Sequence, residues 1–289
     1  MTVFTIAGLT LKEAARRRTL AGAFLLGLLP LALSLVLIII RARMRQRWAP
    51  EDFAERYPFA ESAMFSLCLS TIKMLGSLFA VLLAGGAISS EIERGLLSPV
   101  LAKPIERWKI LLGKWLGMQT ILLSSVLLWT VFVWASFTAQ THRNLTPMLH
   151  AGVYLTLFPL LLGTLTLSLS TFAQRLFGTS LALTLAALSW FDGILNTLGE
   201  TFDVDVLHPI ASVVGLLVPQ GYIGWWVDGA LGGLIIEPPG RGHLGVSPRF
   251  LNEWGAKHLH FAHLDAAYIV VYLLAVFFIG AFVFQRRDV

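Results

Sequence analysis

The sequence predicts an all-α integral membrane protein with six transmembrane helices, an N-terminal interfacial helix and a short cytoplasmic helix between spans two and three. Three observations predict it. The 289 residues are 56% hydrophobic and only 13% charged, about half the charged share of a soluble domain. The mean hydropathy is +0.73. Six apolar runs are each long enough to cross a hydrocarbon layer about 30 Å thick, which takes about 20 residues of helix. So few charges cannot cover a water-facing surface, which excludes a soluble enzyme, a disordered chain and a nucleic-acid-binding domain. The net charge of +5 suits Lys and Arg gathered in cytoplasmic loops and beside anionic headgroups. The single cysteine, Cys68, rules out an internal disulfide.

The first span is Leu20 to Ile40, bracketed by Arg16, Arg17 and Arg18 on one side and Arg41 on the other. It is too long for the core of a signal peptide and has no small-residue cleavage site behind it. The second is Ser62 to Ile88, interrupted by Lys73, and the third is Trp115 to Thr141, free of charge. The fourth runs from Ala151 to Gln174 and the fifth from Leu176 to about Leu198, with Asp192 near its far end. The sixth, Ala266 to Gln285, is followed at once by Arg286 and Arg287. Val206 to Val227 is also uncharged, but Pro209, Gly215, Pro219, Gly221 and Gly224 break it. Such a stretch suits a re-entrant or interfacial hairpin within an external loop at 199–265, with Trp225 and Trp226 as interfacial anchors. Six spans, preferred to seven with Val206 to Val227 also crossing, place both termini on one side, and a narrow surplus of Lys and Arg makes that side cytoplasmic, although the Arg41 to Arg47 cluster opposes it.

Ahead of the first span, Phe4, Gly8, Leu11 and Ala15 recur at helical steps and form one face, while Lys12, Arg16 and Arg17 lie elsewhere. Residues 1–19 are therefore expected to lie on the inner headgroups, with Phe4 in the interface and Lys12, Arg16, Arg17 and Arg18 meeting anionic lipid.

The segment between spans two and three carries the functional signal. Glu91, Glu93 and Arg94 end the second span with charge, and Gly95 permits a sharp turn. Leu97, Val100 and Leu101 then give a short helix one apolar stripe before Pro104 interrupts it, and Glu106, Arg107 and Trp108 open the next helix. A short helix held between two spans is a helix-in-groove ligand for a cytosolic protein, and pushing it would move both spans together. An ordinary charged loop is the plainer alternative.

The run from Ser89 to Lys114 resembles the cytoplasmic signature of type-two ABC transporter permeases, closest to the branch associated with multi-copper enzyme maturation. Glu91, Glu93, Gly95, Leu97, Pro104, Arg107, Gly113 and Lys114 match that signature, and Leu96 stands where the family usually has Thr. The resemblance implies a single transmembrane permease domain over 1–289 in the cell (inner) membrane, with residues 89–107 forming a cytoplasmic coupling helix. The implied ATPase-coupling residues are Glu91, Glu93, Arg94, Gly95, Leu97, Leu101, Pro104 and Arg107. It also implies two permease protomers above two ABC ATPase subunits, which would carry ATP and magnesium and drive substrate export. No cofactor is expected in this chain itself. A phosphate loop needs Gly-x-x-x-x-Gly-Lys-Ser/Thr, whereas Gly113-Lys114 is followed by Trp115 and position 108 is Trp.

Three weaker signals remain. Lys73 near mid-span costs about 2.5–3.5 kcal/mol on insertion scales, so such a residue usually faces a cavity or partner. Asp192 is its candidate partner on a translocation path, and snorkelling along the helix is the alternative. His258, His260 and His263 with Asp265 resemble zinc or copper donors, but only His260 and His263 share a helix face, and no metal site is assigned. Gly113-x-x-x-Gly117 is a spacing that permits close helix contact. The rival readings are a membrane enzyme or metal-binding protein using the external histidines, and a scaffold that docks a cytosolic regulator without transport.

Overall fold

The computed structural model describes residues 3–16, 19–47, 50–85, 87–93, 106–141, 144–172, 176–187, 218–231 and 262–286. Every regular element among them is helical: α1 (Val3–Arg16), α2 (Thr19–Arg47), α3 (Pro50–Ala84), α4 (Ser89–Glu93), α5 (Arg107–Thr141), α6 (Thr146–Leu155), α7 (Leu157–Phe172), α8 (Leu176–Ala187), α9 (Gln220–Leu231) and α10 (Ala262–Arg286). Lipid offers no partner for a free peptide group, so a spanning chain satisfies its backbone internally as helix. The serine and threonine hydroxyls follow the same rule. Thr71, Thr120, Ser125, Thr130 and Thr166 each donate to the carbonyl four residues earlier on their own helix.

Five described helical stretches are long and apolar enough to cross a membrane: Ala21–Arg47, Ala63–Ala84, Arg107–Thr141, Thr146–Phe172 and Asp265–Arg286. They correspond to expected spans one to four and six. Of the expected fifth span, the described part is the shorter apolar helix α8, and Asp192 lies outside the described residues. The helices overrun the apolar runs at their ends. α2 continues through Arg41 to Arg47, α3 begins at Pro50 instead of Ser62 and stops at Ala84, and α5 begins at Arg107, eight residues before Trp115. At 35 residues, α5 is about 50 Å long, more than the bilayer core requires, so part of it stands clear of the hydrocarbon. The fourth span is split. Pro159 lacks the N–H that would bond to the Leu155 carbonyl, and the chain turns at Thr156, whose N–H bonds Val153 three residues back. The α9 helix falls within the region expected to be re-entrant or interfacial and packs chiefly on α6.

α5 is the central helix, contacting α1, α2, α3, α6, α7 and α10. Its neighbours approach through small residues. Trp129 lies against Gly27 of α2, Val126 against Gly76 of α3 and Thr130 against Gly152 of α6. In lipid, where apolar surface gains little by leaving the solvent, such backbone-close van der Waals contact drives helix association. The large core follows α3, α5, α6 and α7. A second, smaller apolar cluster includes Ala84, Ile88, Leu111, Met118, Leu167, Ala281 and Phe284.

Candidate functional site

That smaller cluster underlies a junction at one end of the bundle, where α1 and α4 flank the first part of α5 and the start of α5 meets the end of α10. At Gly85 the α3 helix ends, and α4 restarts with Glu91 and Ile92 N–H groups donating to the Ile88 carbonyl. Lys114, on α5, reaches back to this break. Its Nζ donates to the Ala87 carbonyl at 2.9 Å and forms an ion pair with Glu91. Both side chains are largely buried, 12% and 18% exposed. Arg107, at the first turn of α5, donates through Nη1 to the carbonyls of Phe284 and Gln285 at 3.2 and 3.4 Å. The last carbonyls of a helix have no partner within it and carry its negative dipole end, so a guanidinium suits them on both counts. Exposed Glu106 bonds Lys109 and the Trp108 indole N–H. Those two donors, Lys109 foremost, hold its carboxyl below the usual carboxylate range. Thr179 of α8 donates to the Gly85 carbonyl at 2.9 Å, which ties a further helix to the same break.

The expected coupling residues divide accordingly. Glu91 and Arg107 have partners inside the protein and hold the two flanks of the segment. Glu93 lies at the end of α4, while Arg94, Gly95, Leu97, Leu101 and Pro104 lie outside the described residues. Replacing Arg107 with Met removes charge-assisted bonds from the end of α10. The expected cost is about 1–2 kcal/mol, read as roughly tenfold faster amide hydrogen exchange over residues 282–286 with exchange in α3 unchanged.

α1 docks on the first half of α5 through a face other than the one carrying Phe4, Gly8 and Leu11. Ile6 and Ala14 are buried, and Ile6, Ala7 and Thr10 rest on Gly113 and Gly117. A Cβ on Gly113 would stand 2.6 Å from Ile6 Cβ and 2.9 Å from the Val3 carbonyl oxygen. One on Gly117 would stand 2.7 Å from Thr10 Cβ and 2.9 Å from the Ala7 carbonyl oxygen. The face carrying Phe4, Gly8 and Leu11 is turned away from the bundle, with Phe4 81% exposed. Lys12 and Arg16 are exposed, and Arg17 and Arg18 lie outside the described residues.

Lys73 faces a cavity of about 200 Å³ between α3, the α6–α7 break and α9, lined among others by Ser66, Ser70, Phe158 and Asp228. Its ammonium stands 4.4 Å from the centroid of the Phe158 ring. Asp228, not named from the sequence, lines the same cavity. The signal that would have found it is a lone acidic residue closing the uncharged run Val206 to Val227. No group of three or more His, Cys, Asp or Glu that could hold a metal ion occurs among the described residues. His258, His260 and the side chain of His263 lie outside them.

A family model described as ABC-2 family transporter protein matches residues 5–289, nearly the whole chain. The chain belongs to this family. An ABC-2 permease is a multi-pass transmembrane component and is not itself catalytic, and the family normally works with an ATPase subunit. The match is to the family as a whole and does not extend to the copper-maturation branch. No curated protein matches the chain. In this ABC-2 permease the junction gathers Glu91, Arg107, Gly113 and Lys114, four residues of the signature run, around the ends of one segment. What sequence reasoning missed there is the pairing of Glu91 with Lys114 and the α10 carbonyls that receive Arg107.

Proposed function

We propose that this ABC-2 permease couples ATP hydrolysis by a separate ATPase subunit to export of a substrate, with residues 89–107 as the cytoplasmic helix that the ATPase grips. Both termini then lie in the cytoplasm of a cell whose inner membrane holds the protein, and two protomers stand above two ATPases that bind ATP and magnesium. One observation supports this reading above the others. The segment 94–105 is flanked by fastenings, Lys114 to Glu91 and Ala87 on one side and Arg107 to the α10 carbonyls on the other. A force applied to a segment fastened in this way is delivered to α3, α5 and α10 together instead of being lost in a slack loop. Coupling is then a two-state rearrangement biased by differential binding of the ATPase. Phe4, Lys12 and Arg16 to Arg18 keep α1 at the inner headgroups, and Lys73 lines the translocation path.

The test is co-purification. The ATPase encoded beside the permease should be retained by the wild type. Its retention should fall about tenfold, roughly 1.4 kcal/mol, in Glu93→Ala and Gly95→Trp. Recovery of the permease without any ATPase favours an enzyme or a scaffold. Labelling of cysteines placed at Glu93 and Lys103 from outside intact cells would exclude the cytoplasmic grip.

A further inference from the structure

We propose that the cavity at Lys73 binds the headgroup of an aminophospholipid, its phosphate meeting Lys73 and its ammonium meeting Asp228. The cavity walls place a basic and an acidic residue on different helices. Lys73 is on α3 and Asp228 on α9, and among the described lining residues these are one cation and one anion. Such a site is close to neutral, so it favours a zwitterion over a lone anion or a lone cation, each of which would meet one repelling wall. Ser66 and Ser70 add two hydroxyls for the phosphate oxygens, and the Phe158 ring carries the Lys73 ammonium at its face.

Two further observations point to a lipid. Ser70 lies at the exposed rim of the cavity, and Leu67 and Met74, within one turn on either side of it, are each half exposed and apolar. The mouth therefore opens on an exposed apolar face of α3, the kind of surface that acyl chains cover. Gly224 lines the α9 wall, yet a Cβ built there meets nothing within 4 Å. This glycine is not required for helix packing, and its missing side chain leaves the wall open. A volume of about 200 Å³ corresponds to six or seven waters at about 30 Å³ each, room for a headgroup with its tails left outside.

Retention of lipid, not transport, is the readout, so the proposal stands apart from ATPase coupling. Full-length protein is extracted from vesicles holding equal phosphatidylethanolamine and phosphatidylglycerol, and bound lipid is counted by native mass spectrometry. The wild type is expected to retain phosphatidylethanolamine about tenfold over phosphatidylglycerol. Lys73→Leu should lose that preference and Lys73→Arg should keep it. Ser70→Trp, which blocks the mouth from an exposed position and leaves the core untouched, should lose it as well. Equal retention of the two lipids by the wild type, or a preference that survives both Lys73→Leu and Ser70→Trp, overturns the proposal. Displacement of bound lipid by equimolar free phosphoethanolamine overturns the lipid as occupant.

Discussion

Replacing Lys114 with Met is expected to cost the α1 end of the bundle about 3 kcal/mol. Removing one partner of a buried ion pair typically costs about 3–5 kcal/mol, because the remaining charge keeps its desolvation penalty and loses its compensation. Here the exposures of 12% and 18% place the cost at the lower end. Two interactions disappear together, the ion pair with Glu91 and the bond to the Ala87 carbonyl. Amide exchange over residues 87–93 should accelerate about a hundredfold, as about 3 kcal/mol requires, while residues 121–137 of α5 remain protected. Adding Glu91→Gln to the Lys114→Met background should restore most of the loss, since no buried charge then lacks a counterpart. Unchanged exchange in the single variant would mean that α4 is held by something other than Lys114.

Leucine at Gly117 is expected to separate α1 from the bundle. The atoms closest to an added Cβ are Thr10 Cβ and the Ala7 backbone oxygen, and neither is the far end of a flexible side chain that swings aside. Overpacking usually costs about 1–3 kcal/mol when neighbours yield. When the obstacle is the backbone of a separate short helix, the cheaper response is for that helix to leave. Trypsin should then cut after Lys12 and Arg16 at least about tenfold faster than in wild type, and Gly113→Leu should behave alike. Thr120→Leu, on the same helix at an exposed position, should leave cleavage unchanged. Equal protection of α1 in all three variants would show that the glycine pair is not its seat.

The apolar runs gave away where the chain meets lipid but not where its helices end. Hydropathy changes sign at Arg41, yet nothing in Arg41 to Arg47 breaks a helix, and α2 continues through it. In the same way α5 extends back to Arg107, just behind Glu106, because Lys109 and Lys114 are good helix formers whose charges end the apolar run and not the helix. The signature run pointed to the right place, and Glu91, Arg107, Gly113 and Lys114 were all visible in it. Their partners were not. The Glu91–Lys114 pair forms across a turn whose path depends on where α3 stops, and Arg107 binds carbonyls 177 and 178 residues away. On α1 the eye goes to Phe4 and Leu11, but the face that meets protein is the less hydrophobic one, Ile6, Ala7, Thr10 and Ala14. A glycine pair accepts the Cβ and backbone atoms of that face directly. Lys73 was legible as a cation needing company, whereas the choice of Asp228 depends on how α9 folds back onto α6 and α7.

Arg107 addresses main-chain oxygens, and this sets what kinds of change the contact survives. Any residue presents the same acceptor at position 285, where the side chain is exposed, so spelling there is free. Insertion or deletion of one residue within α10 is another matter, because it would turn the helix end by about 100° and carry both oxygens out of reach. The joint between the first turn of α5 and the end of α10 thus works as a ruler. It is indifferent to which letter stands at position 285 and strict about how many come before it.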